Sequence, residues 1–327
     1  MPSSHGINVF FLKLNNLMDR FIPVITPLSV VLGLFLPNVF LPLRPHVILL
    51  FAVMTFSGSL KLTAVELGIA VKSPVPILLF FFSSHILMPT AALFSSSVFF
   101  NSPDVVAGFI LLFTGPTAVS GFIWAAIFNG DKALGLSLIL LDTLLAPLIV
   151  PVTLSVFLGT KIAMDMSGIA ISLIFMVVVP TIIGVALNET SKGVIPQKIC
   201  PYLDPLAKFC LMLVIAANSA AIAHVIRFND PLVWGVTLLC VVLTIAGFLL
   251  ARLNGIAARC NYEKSTALVI AGGLKNNSAV MTIAVTFFPE AAVLPTLMSI
   301  ILQQTIAATI GKFIIRRIHS AKRIHQQ

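Results

Sequence analysis

A single lysine, Lys275, stands near the middle of an apolar stretch, in the run Ala271-Gly272-Gly273-Leu274-Lys275-Asn276-Asn277-Ser278. An ammonium at the centre of a membrane helix costs about 3 kcal/mol or more, so it persists only with a counter-charge, a wet cavity or a ligand. Gly272 and Gly273 beside it suggest a broken helix, whose freed backbone groups can bind a ligand only where they line a cavity. The matching anion is Asp142, in the middle of another apolar run, whereas the other carboxylates fall in loops or near helix ends. One deep cation and one deep anion are most cheaply accommodated as a pair. The chemistry on offer is therefore electrostatic: attraction of an anion, with a protonatable carboxylate nearby.

The elements that must hold these residues are apolar. The chain is 58% hydrophobic and 9% charged, with mean hydropathy +1.08. A soluble domain of 327 residues needs far more surface charge, so the composition indicates an all-α polytopic membrane protein. Ten apolar segments have spanning length: 21–41, 46–62, 74–94, 105–128, 133–158, 168–187, 203–224, 231–250, 265–287 and 291–313. Residues 1–20 lack the short apolar core of a cleavable leader and read as a cytoplasmic N-terminal segment. With both termini inside, only Arg44, Lys161 and Arg227 fall in outside loops and Lys275 in the membrane, while all other lysines and arginines face the cytoplasm. That asymmetry supports the ten-helix count. The net charge of +9 is spread over loops and tail, which gives no reason to expect nucleic-acid binding. Cys200, Cys210, Cys240 and Cys260 lack metal-type spacing and read as free thiols.

The chain also resembles itself. With Gly115 placed on Gly273, Ser120 meets Ser278, Ala126 meets Ala284, Ala133 meets Ala291 and Leu136 meets Leu294. Thr114-Gly115-Pro116-Thr117 interrupts the fourth segment as Gly272-Gly273 interrupts the ninth. Five is odd, so the second half runs inverted relative to the first. Inverted five-helix repeats with paired broken helices point to a transport site at the bilayer midplane.

The runs Gly115-Pro116-Thr117-Ala118-Val119-Ser120, Asn129-Gly130-Asp131-Lys132-Ala133-Leu134, Thr143-Leu144-Leu145-Ala146-Pro147 and Gly273-Leu274-Lys275-Asn276 make the chain similar to bacterial members of the bile acid:sodium symporter family. The resemblance covers nearly the whole length. It implies a panel of helices 1–2 and 6–7, here 21–64 and 168–225. It implies a core of helices 3–5 and 8–10, here 74–160 and 231–314, followed by a basic cytoplasmic tail at 315–327. Helices 4 and 9 would be unwound and cross inside the core, which moves against the panel to carry organic anions.

The chain departs from that family where the family binds sodium. Gly121 and Phe122 replace Ser-Asn after the first break, Gly135 and Ile139 replace hydroxyl-type ligands on helix 5, and Ala271 and Lys275 replace Glu and Gln around the second break. Sodium is a hard cation that needs oxygen ligands, and these side chains supply none. Lys275 is read as a built-in substitute for the ion. Asp142, one turn beyond a family ligand position, is expected to pair with it and to release it on taking a proton, freeing the ammonium for an anionic substrate.

Other polar residues keep two readings each. Asn276, Asn277, Ser278, Thr114, Thr117 and Ser120 either hold the substrate or satisfy unwound backbone. Gln303 and Gln304 line the site or bridge helices. His85 and His224 shuttle protons or make ordinary hydrogen bonds. No nucleophile elbow, phosphate loop or His/Glu metal spacing occurs, so neither enzyme activity nor a cofactor or metal is expected. Helix 4 has no cysteine, which argues against arsenite export. The expectation is a secondary transporter of a small organic anion in the bacterial plasma membrane, with both termini cytoplasmic. It would be uncoupled from sodium at the usual sites and coupled to protons or facilitative. The alternatives are sodium coupling through relocated sites and a transport-inactive receptor on a transporter fold.

Overall fold

The structure is a computed structural model, and it describes residues 3–63, 73–159, 165–224, 226, 229–311 and 313. The basic tail expected at 315–327, together with Lys72, Lys161, Arg227 and Lys312, lies outside the described residues. Those that are described are helical almost throughout. Seven helices are long and apolar enough to cross a membrane: Pro37–Ser59, Pro74–Phe99, Lys132–Leu158, Met166–Thr190, Val194–Ala220, Pro231–Ala257 and Glu290–Thr309. Val24–Phe35, Pro103–Thr114 and Asn277–Phe287 are shorter apolar helices. Apolar side chains such as Leu78, Leu148, Val156 and Leu238 are exposed on these helices, as a hydrocarbon solvent requires. The chain is an integral, polytopic, all-α membrane protein.

It divides into two compact units, and each has its own packing. The first is drawn from residues 1–64 and 171–224. It contains α1 (Ser3–Phe35), α2 (Pro37–Phe40) and α3 (Val47–Ser59). Its second stretch carries α10 (Val179–Thr190) and α11 (Val194–Ala220), and α11 packs on both α1 and α3. From Ser3 onward the polar stretch is part of α1, which continues into the first apolar segment. Asp204 on α11 accepts hydrogen bonds from Ser57 at 2.8 Å and Lys61 at 2.7 Å.

The second unit, from residues 65–170 and 225–327, holds every buried acidic or basic side chain among the described residues: His85, Asp142 and Lys275. It contains α4 (Pro74–Phe82), a π-helical turn at Ser83–Leu87 and α5 (Met88–Phe99). Two short helices follow, α6 (Pro103–Thr114) and α7 (Gly121–Ile127), then the long α8 (Lys132–Leu158). The helix α9 (Met166–Leu173) straddles the division between units. The second stretch continues with α12 (Pro231–Ala257), α13 (Tyr262–Gly273), α14 (Asn277–Phe287) and α15 (Leu294–Ile306). Polar caps set the helix starts: Asp131 accepts from Leu134 N–H at 3.0 Å on α8, and Asn261 from Lys264 N–H at 3.0 Å on α13.

Two gaps in these helices position everything that follows. Residues 115–120 separate α6 from α7, and 274–276 separate α13 from α14. Pro116 has no N–H and disfavours helical backbone at Gly115, which turns extended at φ −54°, ψ 152°. The second gap has no proline. Its Leu274 is extended at φ −111°, ψ 119°, and it begins later than the glycines suggested, because Gly272 and Gly273 end α13 as helical residues. Those glycines serve packing instead. A Cβ at Gly272 would sit 2.6 Å from that of Ala251, and one at Gly273 would strike the Phe248 ring, so α12 and α13 approach closely.

Candidate functional site

The two gaps meet and complete each other. Thr117 and Lys275 form an antiparallel bridge, in which Ala118 N–H donates to Leu274 O at 3.0 Å and Asn276 N–H donates to Pro116 O at 2.8 Å. The Thr117 hydroxyl donates to Leu274 O at 2.9 Å and contacts Ala271 O. Gln303 from α15 clasps Lys275 by its backbone, its Oε1 accepting from N–H at 3.0 Å and its Nε2 donating to O at 2.8 Å. Backbone groups that two broken helices would leave bare in lipid are thus largely satisfied by each other.

Into this crossing the protein places two charges. Lys275 is 4% exposed, and its ammonium donates to Gly115 O at 3.0 Å, the carbonyl freed by the Pro116 break. Asp142 is 0% exposed and accepts from Thr117 N–H at 2.7 Å through Oδ2. Its Oδ1 lies 2.7 Å from His85 Nε2. The expected contact between Asp142 and Lys275 is corrected here. Each acts on the other through space, but the carboxylate pairs with an imidazole and an amide while the ammonium takes a carbonyl. The physical reason is that the broken backbone supplies its own donors and acceptors, so the charges need not touch.

The remaining candidate residues divide. Asn276 caps α14 by accepting from Ala279 N–H at 3.2 Å, and Asn277 Nδ2 donates to Ser299 on α15 at 2.8 Å. Asn277 Oδ1 and the Thr114 hydroxyl are buried without a partner among the described residues. The hydroxyl of Ser278 bonds neither gap, and Ser120 precedes α7 without capping it. Gln304 turns away and accepts from Trp124 Nε1 at 2.9 Å. His224 is exposed, in a turn after α11.

The positions expected to have lost sodium ligands carry alkyl side chains or none. A Cβ at Gly121 would touch Ile270, Leu274 and Ile139 at 3.6–4.0 Å, and one at Gly135 would touch Ala125 and Ala267 at 3.9 Å. Ile139 and Ala271 are buried. Phe122 lies on α7, its side chain outside the described part.

His85 is the residue that sequence reasoning set aside. It sits in the π-helical turn, a feature frequent at functional sites, stacked on Phe81 with ring centroids 5.6 Å apart. A signal was present, since His85 is the sole ionisable side chain in the apolar segment 74–94.

Interrupted helices meeting around buried charge, in a polytopic membrane protein, define a membrane transporter rather than an enzyme. The chain belongs to the Sodium Bile acid symporter family, whose model matches residues 47–229. It is 37% identical over 295 residues to "Uncharacterized protein YbaS" of Bacillus subtilis, covering 90% of this chain and 96% of that one. It is 24% identical over 271 residues to "Probable sodium/metabolite cotransporter BASS1, chloroplastic" of Arabidopsis thaliana, covering 81% and 66% respectively. A second Bacillus subtilis protein, "Uncharacterized sodium-dependent transporter YocS", is 21% identical over 272 residues, covering 81% and 82%.

Proposed function

We propose that the chain is a secondary transporter of a small organic anion, working by alternating access with the core unit moving against the panel. In this reading the two units derive from inverted five-helix repeats, and both termini are cytoplasmic. One observation carries it. The Lys275 ammonium has three N–H donors, and Gly115 O is its one protein acceptor among the described residues, which leaves donors for a carboxylate or sulfonate. The adjoining start of α14 adds N–H groups that favour negative charge. The probes are a keto acid (pyruvate), pantothenate and a steroid conjugate (taurocholate), offered to proteoliposomes. The reading requires that at least one be taken up and that Lys275→Met abolish the uptake. Uptake unaffected by Lys275→Met would refute the assigned site.

The driving ion is read as a proton, because the usual sodium positions present Gly121, Gly135, Ile139 and Ala271, whose side chains carry no oxygen, and alkyl carbon surrounds Gly121 and Gly135. The printed names of the chloroplast and YocS relatives favour a second reading, sodium coupling through other oxygen atoms. Thermal stability in detergent separates the two as sodium replaces choline at fixed ionic strength and pH. A cation at 100 times its dissociation constant adds about 2.7 kcal/mol. A sodium-specific rise supports the second reading, and a flat curve supports the first.

A further inference from the structure

The buried ionisable groups of the second unit form a short charge ledger. Apart from the Cys240 thiol, among the described residues they are Asp142, Lys275 and His85. An ionised Asp142 already accepts from Thr117 N–H, so the close contact at 2.7 Å requires His85 Nε2 to carry the hydrogen and donate it. In the neutral ring that tautomer leaves the other nitrogen, Nδ1, a bare acceptor. It is buried and has no hydrogen-bond partner among the described residues, while the residue as a whole is 6% exposed. Phe81 stacks on the ring, and Asn254 donates to Ser83 at 2.6 Å in the same π-helical turn, so the imidazole is held in place. The charged groups acting on this site are the carboxylate of Asp142 on α8 and the ammonium of Lys275 at the second gap. Among the other ionisable residues of the helices packed around it, Asp104 on α6, Lys132 on α8, Arg252 on α12 and Lys264 on α13 are not among the charges acting on Asp142.

We propose that His85, held by Asp142, is the proton-binding site of the transport cycle, and that transport is an electroneutral symport of one proton with one monovalent anion. The inference rests on the anion-transport reading above. Hydronium gives its proton to the Nδ1 lone pair, one O–H bond breaking and one N–H bond forming, to leave water and an imidazolium, and the proton leaves from the same nitrogen to water on the opposite side. Without proton or anion, Asp142 and Lys275 cancel and the site is neutral. With both bound it is neutral again. Proton alone leaves one uncompensated positive charge, and anion alone leaves one negative. An uncompensated charge is expensive to carry through a low-dielectric interior. The two neutral states therefore cross and the two charged ones stall, which is the condition for obligatory coupling. In this scheme Lys275 binds the anion but does not change charge, and Asp142 positions the imidazole.

The test uses the full chain in proteoliposomes, with pyruvate, pantothenate and taurocholate as probes and the membrane potential clamped by potassium and valinomycin. An inward proton gradient is expected to raise uptake severalfold, with one proton entering per anion and no change when the clamp is moved from zero to inside-negative. His85→Gln keeps an N–H donor for Asp142 and is expected to lose the response to the proton gradient, whereas Cys260→Ser retains it. Nitrogen NMR of histidine-labelled protein gives a second readout. The resonance missing from His85→Gln should show Nε2–H with a bare Nδ1 at high pH and gain its second proton as pH falls. Voltage-dependent uptake, or an unchanged gradient response in a folded His85→Gln protein, overturns the symport proposal while leaving anion transport standing. If no probe is taken up under any gradient, the anion reading fails. The NMR then decides the proton site alone, and an Nδ1–H tautomer, or an Nδ1 that never takes up a second proton, overturns it.

Discussion

Gln303 holds Lys275 by both of its backbone groups, accepting from the N–H at 3.0 Å and donating to the carbonyl at 2.8 Å. One primary amide thus takes the place of a neighbouring strand for a single residue of the second gap. Gln303 is 4% exposed, so water does not readily replace it. Gln303→Met keeps the shape and removes both bonds, leaving two buried backbone groups bare at about 1–3 kcal/mol each. The expected result is a clearly lower melting temperature in detergent, together with loss of transport. An unchanged melting temperature would show that the clasp contributes nothing.

Asp142 and Lys275 interact without touching, and this makes a specific prediction for paired substitutions. Asp142→Asn alone leaves the buried ammonium without its countercharge, and Lys275→Met alone does the same to the carboxylate. Breaking a buried pair from one side typically costs about 3–5 kcal/mol, whereas replacing both members is far milder. The double variant should therefore be more stable than the sum of the single losses requires, by about 0.5–3 kcal/mol in a thermal double-mutant cycle. Strict additivity would mean that the two charges are screened from each other.

The glycines of α6 separate two kinds of close approach. A Cβ at Gly108 would be driven into the backbone of Ala292, with its carbonyl carbon at 2.8 Å and its Cα at 2.9 Å. At Gly115 the obstacle is the Val280 side chain, which can move or be trimmed. Overpacking of this kind costs about 1–3 kcal/mol or more. Gly108→Ala should depress folded yield severely. Gly115→Ala should be milder and should be relieved by Val280→Ala, as measured by monodisperse yield and melting temperature. Equal damage from both, with no relief, would count against the packing described.

The contrast between these residues shows what the sequence made legible. The apolar runs, Lys275 and the Pro116 break are local signals, since hydropathy, an out-of-place charge and a missing N–H need no tertiary context. Gly272 and Gly273 were visible too, but their role was not: they admit Phe248 and Ala251 rather than loosening the backbone. The unwound stretch after them depends on Thr117 and Gln303, which lie far away in sequence. His85 makes a hydrogen bond between helices, one of its two expected readings, but its partner was hidden for the same reason. Its partner Asp142 is 57 positions away, and pairing charges by sign alone sent Asp142 to Lys275 instead. Sequence reveals which buried groups need partners; the fold decides which partners they get.

The topology can be tested at Cys260, a free, half-buried thiol between α12 and α13. With ten crossings and a cytoplasmic N-terminus, that turn faces the cytoplasm. In a protein with Cys200, Cys210 and Cys240 replaced by serine, a membrane-impermeant maleimide should label inside-out vesicles and spare intact cells. Burial pushes the Cys260 thiol up, against a smaller opposing effect of Lys264. The thiolate is the reactive form, so a raised pKa means slow labelling at neutral pH and a rate that climbs as pH rises. Between about pH 9 and 10 the rate should still climb, where an ordinary thiol near 8.5 is already levelling off. Labelling of intact cells would reverse the proposed orientation, and a rate that has levelled off by about pH 9.5 would show that the thiol is better solvated than the structure places it.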